Sequence, residues 1–141
     1  MNNNFIDENE IMLRQVHPKF IENDRVTSQA FRPTQKDDKK LSVSRDSLTN
    51  AKDSFDLYTA KRELSSVGVW GVTIAEIKEN SDLSVKSDPL TDPVIDKAHA
   101  LVDFSKLESD AKIRKAADKL VSKARNRGVL YKPEQKIEGE G

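Results

Sequence analysis

Ser66-Val67-Gly68-Val69-Trp70-Gly71-Val72-Thr73-Ile74-Ala75-Glu76-Ile77 decides the fold class of this 141-residue chain. It is the one long apolar run, it holds the single tryptophan, and its only acid is Glu76. A run apolar at both alternating sets of positions, rich in β-branched residues and bounded by polar sequence, reads as a strand buried on both faces. A strand of that kind needs a sheet around it.

Further strands are expected on either side. Residues 11–16 (Ile-Met-Leu-Arg-Gln-Val) form one, and His17-Pro18 breaks it, because the residue before a proline is pushed to extended geometry. Residues 25–31 give a second extended piece after a turn over 19–24. Residues 34–40 read as a solvated loop. Leu41 and Val43 alternate cleanly with Ser42 and Ser44, a short strand. Leu48, Ala51, Phe55 and Tyr58 then recur at helical spacing, with Asp46 or Ser47 as the cap and a fade near Glu63. Beyond the long run, residues 80–98 form a connection carrying the turn-favouring pairs Asp88-Pro89 and Asp92-Pro93 and an edge strand at 83–85. Residues 99–104 give one more strand.

A long helix closes the chain. Ser105 with Glu108 three residues on has the spacing of a capping box, and Gly128 ends the helix after Arg125 and Arg127. Ile113, Ala117, Leu120 and Ala124 make its apolar face, with Ala116 and Val121 beside it. Residues 129–131 return to the sheet before Pro133. The expected fold is a single α+β domain over 10–132, with a mixed, largely antiparallel sheet and two main helices packed on one face. Residues 1–9 are a flexible arm, and 133–141 a flexible acidic tail.

Composition narrows the classes of function. Apolar residues make up 35% and charged residues 34%, below the usual apolar share of roughly 45–50% with glycine included. There is no cysteine, so disulfides and thiolate metal sites are excluded and a reducing compartment is favoured. No apolar run nears the roughly 18–20 residues that span a bilayer, and the N-terminus lacks the basic and apolar regions of a signal peptide. A cytoplasmic protein that does not enter membranes is expected. Its zero net charge hides a split: residues 105–132 hold nine bases against three acids, while 1–104 hold 14 against 18. The chain carries a basic element on an acidic body.

Catalytic motifs are absent. His17 and His99 stand in no HxxxH or HExxH frame, so no metal is expected, and no cofactor either, since there is no Walker pattern and no GxGxxG. Ser28, Ser42 and Ser65-Ser66 have no glycine-framed elbow. Polar residues at predicted strands are the remaining candidates, namely Arg14, Ser28, Arg32, Ser42, Glu76 and His99. Such side chains either face water or converge on a pocket. On strict alternation Glu76 shares a face with Trp70, Val72 and Ile74, where desolvation would raise its pKa and suit it to acid–base work. Otherwise the strand has already emerged into solvent there.

On the last helix, Lys112, Lys115, Lys119 and Lys123 fall within a sector of about 80° at the helical period. This stripe reads as a solvated face of snorkelling lysines, a contact for a partner protein, or a phosphate track. Two functions follow. The first is a small interaction module, of accessory, regulatory or immunity type, that binds a protein with an acidic surface through Lys112, Lys115, Lys119, Lys123 and Arg127. The second is a small hydrolase or transferase on a nucleotide-like or phosphorylated substrate, using Arg14 to hold an anion and His17, Glu76 or His99 to move a proton. Nucleic-acid binding ranks below both, and steep loss of affinity with salt would identify it.

Overall fold

The alternating residues at 11–16, 40–45, 69–73 and 99–103 join into one sheet in the computed structural model, which describes residues 7–33 and 38–133. In chain order the elements are β1 (Ile11–Gln15), a ribbon of β2 (Ile21–Glu22) and β3 (Arg25–Val26), β4 (Lys40–Arg45), α1 (Ala51–Asp56), β5 (Val69–Thr73), α2 (Ile74–Lys78), β6 (Ser84–Ser87), β7 (His99–Asp103) and α3 (Asp110–Arg127). A wider π turn over Leu57–Lys61 continues α1. The strand order is β5-β1-β4-β7-β6 and every ladder is antiparallel. The chain is a single α+β domain, as its sequence implies.

The long apolar run divides at Thr73. Its hydroxyl accepts from the Glu76 N–H at 3.1 Å and the Glu76 carboxylate accepts from the Thr73 N–H at 2.8 Å, a complete capping box. β5 therefore stops and α2 begins, which turns Ile74 and Ile77 into the core at helical spacing. β5 is an edge strand, and its Val69 and Val72 are buried as expected while Trp70 on the edge is only half-buried. The chain after α3 comes back along it: Val69 exchanges backbone bonds with Leu130 and Tyr131, and Arg127 donates to the Gly71 carbonyl at 3.1 Å. That covers an edge which would otherwise invite pairing. Gly71 permits the approach, since a Cβ there would lie 2.5 Å from Ile11 Cγ2 and 2.9 Å from Leu130 Cδ1.

One face of the sheet presents Met12, Val16, Leu41, Val43, Val72, Ala100 and Val102 to α3. All six apolar residues expected to face inward from α3 are buried there, in one cluster with Phe31 and Phe104. Burial of each of Ile113, Leu120 and Val121 contributes roughly 1.5–3 kcal/mol. The cap of α3 is Ser109, whose hydroxyl accepts from Lys112 N–H at 3.2 Å. Ser105 and Glu108 do not cap it, because Leu107 between them is drawn into the core and fixes that stretch as a separate turn. Gly128, with φ of 90°, ends the helix as expected.

α1 lies over the opposite face, where Gln15 Nε2 donates to Ser54 Oγ at 2.8 Å. The fold class stands as read, but the two helices expected on one face are divided between both. Asn50 caps α1 by accepting from Asp53 N–H, and Leu48 is left 54% exposed outside the helix. The extended piece expected over 25–31 is shorter as well. Asn23 and Asp24, both at positive φ, close the β2–β3 hairpin. After β3 the chain coils as a 3₁₀ turn over Ser28–Phe31.

The outer parts of the predicted organisation fall partly beyond the described residues, which exclude 1–6, 34–37 and 134–141. Within 7–9, Asp7 accepts from Asn9 N–H, the Glu8 carbonyl accepts from Ala75 N–H, and Lys78 pairs with Glu8 at 2.7 Å.

Candidate functional site

β1 and β4 part company in mid-sheet. Their register pairs are Met12 with Arg45 and Leu13 with Ser44, whereas β1 follows β5 as far as Gln15 and β4 follows β7 as far as Lys40. The guanidinium of Arg14 bridges the gap, donating to the Ala30 carbonyl at 2.7 Å and to the Ser42 carbonyl at 2.9 Å. On the α1 side the parting opens a cavity of about 310 Å³. Its strand walls are Leu13 to Gln15 and Ser42 to Ser44. Leu57 and Tyr58 roof it, and Arg62, Asp96 and His99 close one side.

Ser42 and His99 meet there. His99 stands opposite Ser44 in register, and its ring leans to the diagonal neighbour, placing Nε2 3.1 Å from Ser42 Oγ. The other ring nitrogen, Nδ1, lies 3.0 Å from the Asp88 carbonyl oxygen and 3.0 Å from Asp88 Oδ2. Both neighbours of Nδ1 are acceptors, so the neutral ring carries its proton on Nδ1. Nε2 is then the lone-pair nitrogen, and the Ser42 hydroxyl donates to it. A serine bonded to a basic imidazole nitrogen, with a carboxylate behind the other, is the arrangement that activates a hydroxyl as a nucleophile. The His99 side chain is 13% exposed while Ser42 is open to solvent. The base is sheltered and the hydroxyl can be reached.

Arg62 adds positive charge to the same wall. Its Nη2 pairs with Asp96 Oδ2 at 3.5 Å, and its side chain is 23% exposed. Asp96 is itself pinned, because its backbone exchanges two bonds of 2.9 Å with Leu90.

No family model, curated protein or solved structure matches this chain. The site is therefore read from its own atoms.

Of the four residues predicted for an enzyme site, the anion holder Arg14 and the proton-transfer candidate His99 line this cavity; His17 and Glu76 do not. His17 caps the 3₁₀ turn Pro18–Phe20, its Nδ1 accepting from Lys19 N–H at 3.1 Å. Glu76 sits between α2 and α3, held by both branches of Arg127 at 2.9 and 3.0 Å. Burial pushes its carboxyl up, but the Arg127 bonds and the Thr73 N–H outweigh burial and leave it below the ordinary value. The raised pKa expected of Glu76 is thus corrected to a lowered one, because a residue read as a strand position is a helix cap with a cationic partner.

The five basic residues of α3 expected to meet a partner separate into two groups. Lys112, Lys115 and Lys119 are exposed and make no ion pair among the described residues. Lys123 pairs with Glu79 at 3.4 Å and Arg127 is tied to Glu76. Among the described residues no group of three or more His, Asp or Glu side chains could hold a metal ion. No helix among them is long and apolar enough to cross a membrane.

Ser42 and His99 both fall among the polar candidates at predicted strands, though Ser42 has no glycine elbow. Asp88 reads in the sequence as a turn residue, and no motif singles out Arg62 or Asp96. Alternation could have put Ser42 and His99 on sheet faces. Only the β4–β7 register brings them together.

Proposed function

We propose that this chain is a small hydrolase or transferase that uses Ser42 as its nucleophile, His99 as general base and then general acid, and Asp88 as the group that orients His99. The observation that carries this reading is the chain of contacts from Asp88 through His99 to the accessible Ser42 at the cavity. Ser42 Oγ attacks the electrophilic carbon or phosphorus of an ester, forming the new bond as its proton passes to His99 Nε2. The bond to the leaving oxygen breaks, and that oxygen takes the proton from Nε2. Water or an acceptor alcohol then repeats the sequence in reverse, restoring the serine. The Asp88 carboxylate stabilises the imidazolium formed on the way.

An alkyl fluorophosphonate tests this without knowledge of the substrate. Attack by Ser42 expels fluoride and leaves a stable phosphonyl adduct, which intact-protein mass spectrometry detects. The expected result is one adduct on Ser42, absent in Ser42→Ala. Full-length folded protein that stays unlabelled, under conditions that label an ordinary serine hydrolase completely, would overturn the proposal.

A second reading rests on three lysines of α3 that make no ion pair among the described residues. Lys112, Lys115 and Lys119 form a cationic row that suits an acidic partner protein. Loss of a stoichiometric partner from Lys115→Glu/Lys119→Glu in a pull-down, with Ser42 unlabelled by the probe, would put this reading first.

A further inference from the structure

Arg62 lines the cavity beside Ser42, and one of its donors is unsatisfied within the wall. Arg62 Nη2 is buried and has no hydrogen-bond partner among the described residues. Asp96 supplies a countercharge at 3.5 Å without a hydrogen bond. Two backbone bonds to Leu90 hold the Asp96 main chain, and at 3.5 Å its carboxylate leaves the Nη2 donor unmatched. A guanidinium stays charged at every working pH, and its planar fork matches the two oxygens of a carboxylate or phosphate. Its position is equally telling. Arg62 lines the same cavity as Ser42 and His99, whose volume of about 310 Å³ lies at the small end of ligand sites. Hydrogen bonds to a charge in such a walled site are stronger than in water.

We infer that Arg62 is the specificity residue of this site, and that it binds an anionic oxygen group, phosphate or carboxylate, on the substrate. The inference rests on the reading of Ser42 as nucleophile for the word substrate, but not for the binding of the anion. On arrival the anion takes the Arg62 fork and weakens its pairing with Asp96. Neutral esters of the same size lack this anchor and are discriminated against.

Inorganic phosphate and acetate, titrated separately into the full chain and followed by backbone amide NMR, separate the two sources of the anion. The expected result is saturable binding of at least one, with Kd on the order of millimolar and shifts centred on residues 58–64 and 96–99. Arg62→Gln should weaken it roughly 10- to 100-fold, the scale of one or two charge-assisted hydrogen bonds. Asp96→Asn removes the competing carboxylate and should tighten it, a gain that a merely unfolded variant could not show. Equal binding by Arg62→Gln and the parent, or no saturable binding of either anion to the parent, overturns the inference. Arg62-dependent anion binding with Ser42 inert to fluorophosphonate would leave the anchor standing and remove the nucleophile. Labelling of Ser42 without anion binding would do the reverse.

Discussion

Asp88→Asn should slow fluorophosphonate labelling of Ser42 only about three- to tenfold, and the reason lies in a backbone atom. In a serine–histidine–aspartate site where the carboxylate alone fixes the ring, its replacement by an amide selects the wrong tautomer and costs about 10⁴ in rate. Here Nδ1 faces both the Asp88 carbonyl oxygen and Oδ2, each at 3.0 Å. The carbonyl survives the substitution and keeps the proton on Nδ1, so Nε2 remains basic. What is lost is the difference between a charged and a neutral acceptor for the developing imidazolium, roughly 1 kcal/mol. The Asp88 side chain is 42% exposed, so solvent screening holds the loss near that low figure. One kcal/mol is about fivefold in rate. The assay is the second-order labelling constant from intact-mass time courses at pH 7.5, on protein whose fold is confirmed by circular dichroism. His99→Gln removes the base itself and should cost about 100-fold or more. A loss of about 10³ in Asp88→Asn would refute the argument that the backbone carbonyl holds the tautomer. Undiminished labelling in His99→Gln would refute the role of His99.

Three further outcomes follow from the packing. Glu10 is buried and bonded to both Arg45 Nε and Nη2, at 3.0 and 3.1 Å, and to Ser47. Burial pushes its carboxyl up, and those bonds outweigh burial and bring it below its ordinary value. A carboxyl lowered on folding contributes stability that is fully present above its unfolded pKa, roughly 4.3, and is lost as pH falls through the lower folded value. Glu10→Gln should therefore cost about 3 kcal/mol at pH 7 by chemical denaturation, and its deficit should shrink below about pH 4. A deficit unchanged between pH 7 and pH 3 would contradict the pairing. Gly71→Ala should lower stability by about 2 kcal/mol, since the new Cβ meets the branched Ile11 side chain at 2.5 Å; a thermal midpoint within 2 °C of the parent would count against that contact, where roughly 5 °C is expected. Lys115→Glu/Lys119→Glu should leave stability within about 0.5 kcal/mol, because both side chains are exposed, so any partner lost in a pull-down would be lost through the surface itself.

How far the fold could be read from the sequence depends on the range of the signals. The inward face of α3 and its glycine stop are local patterns, and all six apolar positions are buried where the period puts them. The break at Thr73 was equally local, since Thr73 and Glu76 have capping-box spacing, but the β-branched run around them masked it. The cap at Ser109 competed with a better-looking one at Ser105, and the burial of Leu107 settled it, a tertiary fact. The face that α1 covers was not encoded in its own period. It is set by contacts made across the chain, among them the bond between Gln15 and Ser54, 39 residues apart.

The candidate site lies at the far end of that scale. Ser42 and His99 are 57 residues apart, and Asp88, just past the end of the neighbouring strand β6, is 11 before His99. Nothing in their spacing marks them, because a sheet brings residues together by register and each ladder adds its own offset. Arg14 shows how the two levels join. The sequence offered it as an anion holder on a strand, and the structure directs its guanidinium at two carbonyls across the gap between β1 and β4. One of those carbonyls belongs to Ser42. The arginine fixes the backbone that presents the hydroxyl at the point where the sheet opens to form the cavity. If Ser42 is the nucleophile proposed, Arg14 is a positioning residue, and Arg62 is left as the cation whose Nη2 is unmatched within the cavity wall.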